Sequence, residues 1–152
     1  MDMYSESLSW VWGLSLIVVT ITIHASGVVS MALAGIGLRL RLEQTHRGTL
    51  YVVPTVIVVV AVIGLLLTAL HGIEAAVWAG AYMWVGAFDS RFDAMLFSVG
   101  SMTTVGAPGL ALQRHWQMMG VLEAADGALV FGISTAYIFG VMQAYWPLLH
   151  SR

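Results

Sequence analysis

The chain has no cysteine, no lysine and little charge of either sign. Without cysteine there can be no disulfide, no thiolate metal site and no cysteine nucleophile. Charged residues make up 9% of the 152 positions. A soluble domain carries about 25%, so too little polar surface exists here to coat a water-exposed globule. The six basic residues are all arginine and the formal net charge is −2, which leaves no basic patch for nucleic acid. No nucleophile elbow, phosphate-cradling loop or His–carboxylate pair with a serine partner occurs. Gly35-x-Gly37 ends an apolar stretch and is no dinucleotide turn. An enzyme is not expected, and no cofactor is implied.

What is present is apolar. Hydrophobic residues reach 59% and the mean hydropathy is +0.87. The length suits one small membrane domain. Three segments are long enough to cross a bilayer, which takes about 20 residues as helix. The first runs from about Leu8 to Leu38, with Trp10 and Trp12 where an interfacial aromatic belt belongs. Its acidic start, Asp2 and Glu6 with no basic residue, reads as a retained span and not as a cleaved signal. The second is densest from Tyr51 to Leu70 and is predicted to continue as helix to about Ala87. The third runs from about Trp116 to Tyr145, with Pro147 expected to help end it. Arg39, Arg41, Arg47 and Arg152 lie on one side of this arrangement, Arg91 and Arg114 on the other. By the positive-inside rule the first loop and the C-terminus are cytoplasmic and the N-terminus is outside, in the cell (inner) membrane.

Between the second and third spans lies a shorter signal. Ser90 can cap a helix, and Asp93 three residues on can complete a capping box. The spacing predicts a helix over Arg91–Met102. At 1.5 Å per residue it measures about 18 Å, half a bilayer core, which suits a re-entrant helix and is too short for a span. Its C-terminal dipole end would favour a cation at mid-membrane. The chain then leaves the helix at Thr103-Thr104-Val105-Gly106-Ala107-Pro108-Gly109. Non-helical backbone at that depth survives only when buried in protein or lining water.

Thr103-Thr104-Val105-Gly106 resembles the first four residues of the potassium-channel signature, Thr-Thr-Val-Gly-Tyr-Gly. Ala107 stands for its Tyr and Pro108 for its last Gly. The resemblance extends to His71-x-x-Glu74, Trp78, Tyr82, Phe88, Ala94-x-x-Phe97-Ser98 and Leu122-Glu123-Ala124 with Gly127. These are similar to the outer helix, pore helix and inner helix of small bacterial potassium-channel-like ion channels, in which an Asn commonly stands where Asp126 stands here. The likeness covers roughly residues 51–143, and the first span is an addition to the two-span plan. It implies potassium held by carbonyls of Thr104, Val105, Gly106 and Ala107, with the Thr104 hydroxyl closing the innermost site. Pro108 fixes φ near −65° and has no N–H, and Ala107 lacks the bracing ring. The outermost site is therefore expected to be widened or lost and selectivity to fall, so that sodium passes with potassium.

Outside the loop, Glu123, Asp126, Gly127, Val130 and Ser134 share one helical face. Intramembrane acids commonly face a pore or a partner. Asp126 is expected to line a cavity, and Glu123 to brace the short helix or its loop from behind. Gly127 and Gly132 are candidate hinges, with close helix packing the competing explanation. His71 and Glu74, three apart, are expected to hydrogen-bond, with His24 joining them if the first two helices pack that way. A structural contact is favoured over a pH sensor, and a metal site ranks last, because scattered histidines do not make a coordination set.

The expected fold is an all-α membrane protein: three transmembrane helices plus a re-entrant pore helix and filter loop, closed as a homotetramer because one loop cannot enclose an ion. Residues 1–48 form an N-terminal transmembrane helix and cytoplasmic loop, and residues 49–152 the pore domain. The expected activity is passive conduction of monovalent cations, most naturally potassium. The alternatives are a weakly selective cation channel and a non-conducting accessory subunit. The partners are the chain itself and membrane lipid.

Overall fold

The computed structural model describes the backbone of residues 2–44 and 49–150, and the side chains of residues 7–40 and 53–147. Arg47 and Arg152, two of the arginines behind the orientation argument, lie outside the described residues. The order is α1 (Asp2–Gln44), α2 (Thr49–Trp84), α3 (Arg91–Met102), a 3-10 turn (Arg114–Trp116) and α4 (Gln117–His150). No strand occurs among the described residues. Three segments, Ser7–Leu40, Val53–Trp84 and Arg114–Pro147, are long and apolar enough to cross a membrane. The chain is thus an all-helical, multi-pass membrane protein. Each long helix leaves large apolar side chains exposed, among them Val18 and Leu33 on α1, Leu65 on α2 and Phe139 on α4.

The helix ends follow local chemistry. α3 begins where the sequence predicts: Ser90 is extended and its hydroxyl accepts the Asp93 N–H at 3.3 Å. α2 stops at Trp84, three residues short of the expected Ala87. The cause is Gly86 at φ +69°. There the Ala87 N–H donates to the Tyr82 carbonyl at 2.9 Å and the Gly86 N–H to the Met83 carbonyl at 3.2 Å, a Schellman cap. α4 passes Pro147 and continues to His150. Within the last turns of a helix the missing N–H costs one backbone bond, and here it does not break the helix.

Two compact units divide the chain. The first comprises residues 1–24 and 71–131, and the second residues 25–70 and 132–152. The division cuts across α1, α2 and α4 and does not follow a boundary at residue 48. In the second unit α1 and α2 approach at Gly27, where a methyl group would fall 2.7 Å from the Leu70 side chain. That unit also has a groove lined by residues such as Ile36, Ile63 and Val141. The first unit holds the fully buried polar side chains among the described residues, and the whole of α3.

Candidate functional site

In the first unit, α1 turns a narrow stripe inward: Ser9, Gly13, Leu16, Thr20 and His24 are buried. Their spacing of four, three, four and four is that of one helix face. Small and polar residues occupy it because they let helices approach and bond across the contact. A methyl on Gly13 would lie 2.5 Å from the Leu122 side chain. The Ser9 hydroxyl accepts the Met119 N–H at 3.0 Å. That N–H belongs to the first turn of α4, where no carbonyl of the helix's own can reach it.

On α2, Glu74, Trp78 and Tyr82 follow at intervals of four and are fully buried. Each meets a different polar partner. Glu74 receives the two histidines: His24 Nδ1 lies 2.8 Å from Oε1 and His71 Nδ1 lies 3.1 Å from Oε2. Trp78 Nε1–H donates to Asp126 Oδ2 at 3.1 Å, and the Thr20 hydroxyl donates to the same oxygen at 2.5 Å. The Tyr82 hydroxyl donates to Glu123 Oε2 at 2.7 Å. The three rungs tie α1, α2 and α4 together with hydrogen bonds between largely buried side chains.

α3 is wedged into this frame by Ser98. Its hydroxyl donates to the Ala75 carbonyl of α2 at 2.8 Å and also contacts Glu123 Oε1 of α4. Glu123 of α4 thus contacts α3 through Ser98 and α2 through Tyr82. An aromatic group fills the space beside it. Tyr82 and Phe97 meet edge to face at 5.4 Å, and Phe88 packs on Phe97 at 5.2 Å. Ala94, one turn before Ser98, is also fully buried.

Asp126 departs from its expected cavity-lining place. It is fully buried between Thr20 and Trp78. The reason is α1, whose Thr20 hydroxyl covers the Asp126 carboxylate. Asp126 Oδ1 is buried with no hydrogen-bond partner. The hinge candidates also separate. A methyl on Gly127 would run into the Met102 carbonyl oxygen and lie 2.7 Å from Met102 Cα, whereas Gly132 has nothing within 4 Å. Gly127 is therefore the point where α4 admits the C-terminal end of α3.

The loop after α3 is held by its own backbone. The Thr103 N–H and hydroxyl both donate to the Val99 carbonyl, at 3.0 and 2.7 Å. Thr104 then turns to φ +60°, a left-handed conformation rare for a β-branched residue and costing about 1–3 kcal/mol. Gly106, at φ +80°, donates its N–H to the Gly100 carbonyl at 2.9 Å. The loop thereby folds back on α3, and a methyl on Gly100 would strike the Gly106 carbonyl at 2.7 Å. Thr103, Thr104, Val105, Gly106 and Pro108 are exposed and Ala107 partly so, with Val105 82% exposed. Beside the loop, Phe97, Gly100, Thr104, Gly106, Leu112 and Gly120 line an open groove of about 430 Å³.

The buried residues from Glu74 through Gly127 thus interlock in one unit, with the loop exposed beside them. Sequence reasoning missed Ser9, Thr20 and Gly100. The first two were legible as polar residues on the four–three–four stripe of an apolar span. Gly100 had no signal, because its role depends on where Gly106 returns. The geometry defines a class: a multi-pass α-helical membrane protein that presents a short capped helix and an exposed loop from a polar-laced bundle. No family model, curated protein or solved structure matches the chain.

Proposed function

We propose that the chain is the subunit of a homotetrameric cation channel, with α3 as a re-entrant pore helix and Thr103–Pro108 as its filter loop. One observation carries the reading. A capped half-length helix is braced on two sides through Ser98, and it delivers a Thr-Thr-Val-Gly loop that its own chain leaves uncovered. A lone chain in lipid would leave that backbone unsatisfied, and four copies around an axis would cover it. Carbonyls of Thr104, Val105 and Gly106 replace the hydration of potassium there. Ala107 and Pro108 favour a filter shortened at its outer end, and so a pore that discriminates weakly against sodium. The loop faces the outside of the cell membrane, with the N-terminus on that side and the C-terminus in the cytoplasm. A non-conducting accessory subunit is the opposing reading, and it has no use for a braced helix ending in a carbonyl loop.

Purified chain in liposomes tests the proposal. It is expected to carry potassium flux that barium reduces, from particles with the mass of four chains in lipid. Monomers or dimers without flux overturn it.

A further inference from the structure

We propose that His24, His71 and Glu74 form a binding site for a divalent transition-metal ion, with zinc the best match. The two histidines come from different helices, and the fold brings them to one carboxylate. Both Nδ1 atoms face Glu74, at 2.8 and 3.1 Å from its two oxygens. One ligand atom from each residue can be chosen so that all lie within 4.8 Å of one another. Ligands on the 2.0–2.1 Å arms of a tetrahedral zinc ion stand about 3.3 Å apart. The two nitrogens approach different oxygens of Glu74, so side-chain rotation has to draw one ligand atom of each residue from within 4.8 Å to that spacing.

The surroundings suit an ion. His24 and Glu74 are fully buried, and His71 is 15% exposed, so the fourth position opens on the His71 side. The Phe131 ring stacks on His71 at 4.4 Å and 19°, which holds the imidazole in orientation. Each ring moves its proton to Nε2 and turns the Nδ1 lone pair to the metal. The set has no thiolate and one carboxylate, a donor mixture that imidazole-preferring metals take ahead of magnesium or calcium. A second acid stands near. Asp126 interacts electrostatically with Glu74 and His24 and has a buried oxygen without a hydrogen-bond partner. Bound metal would clip α1 to α2, and protons would compete with it for the imidazoles.

The test uses the tag-free full chain in detergent micelles, stripped with chelator, and does not depend on conduction. Cobalt(II) is expected to bind at one equivalent per chain with the intense visible absorption of a four-coordinate site. Zinc should displace it and raise the unfolding temperature. Affinity should fall at least about tenfold in Glu74→Gln and in His71→Gln, as loss of even an outer metal partner does, and should be unchanged in His115→Ala. If Glu74→Gln does not fold, His71→Gln at the partly exposed ligand decides the matter by itself. No saturable binding to the wild-type chain, binding that survives His71→Gln, or binding that depends on His115 overturns the proposal.

Discussion

Gly127→Ala gives a measurable statement of how α3 is seated. The added methyl meets the Met102 carbonyl oxygen, with Met102 Cα at 2.7 Å and the carbonyl carbon at 2.8 Å. These atoms are backbone on both sides, so no side chain can swing away. Overpacking costs about 1–3 kcal/mol, and a backbone-to-backbone collision belongs at the upper end. The replacement returns about 1 kcal/mol of helix propensity. The net loss is about 2 kcal/mol, roughly a 30-fold shift in the unfolding equilibrium. Gly132→Ala on the same helix meets nothing within 4 Å. It should be neutral or stabilising by up to about 1 kcal/mol. Equilibrium unfolding in mixed micelles, followed by helical circular dichroism, compares the two. If Gly127→Ala is as stable as Gly132→Ala, the end of α3 is not pressed against α4, and the seating of the loop argued above is wrong.

Removing the cap in Ser90→Ala should cost about 0.5–2 kcal/mol, and Ser90→Asp should restore it. Faster amide exchange at Asp93 and Ala94 in the alanine variant is the local readout, and unchanged exchange would refute the cap. Tyr82→Phe leaves Glu123 Oε2 without its donor, a loss of about 1–3 kcal/mol. Combined with Ser98→Ala it should deviate from additivity by about 0.5–3 kcal/mol, because both side chains bond one carboxylate. Strict additivity in the double-mutant cycle would show that Glu123 does not couple α2 to α3. Replacing Ala107-Pro108 by Tyr-Gly should move the reversal potential toward stronger potassium preference over sodium. An unchanged value contradicts the account of Pro108.

Much of the architecture was readable in one dimension because its signals are local. The three apolar runs, the Ser90–Asp93 cap and the bounds of α3 depend on residues within a few positions of each other. Gly86 could have corrected the end of α2, since a glycine after a helical run is itself a stop signal. The pairing of His71 with Glu74 was legible from a spacing of three on one face. The burial of Asp126 between Thr20 and Trp78 was not legible, because helical spacing gives a face and not the neighbour that the face meets. Whether His24 joins His71 and Glu74 was left open by the sequence for the same reason.

The sequence by itself determined that this is a membrane protein of three long helices and one short one, since composition and periodicity suffice to choose helix over strand and lipid over water. Only the tertiary structure decided which acid meets which donor, that His24 and His71 share one carboxylate, and that Gly127 rather than Gly132 is where α3 docks. The pairings between helices among them join residues 25 to 106 positions apart. Nothing in the chain's local chemistry encodes them; they arise when buried polar groups on separate helices must find partners where water is excluded.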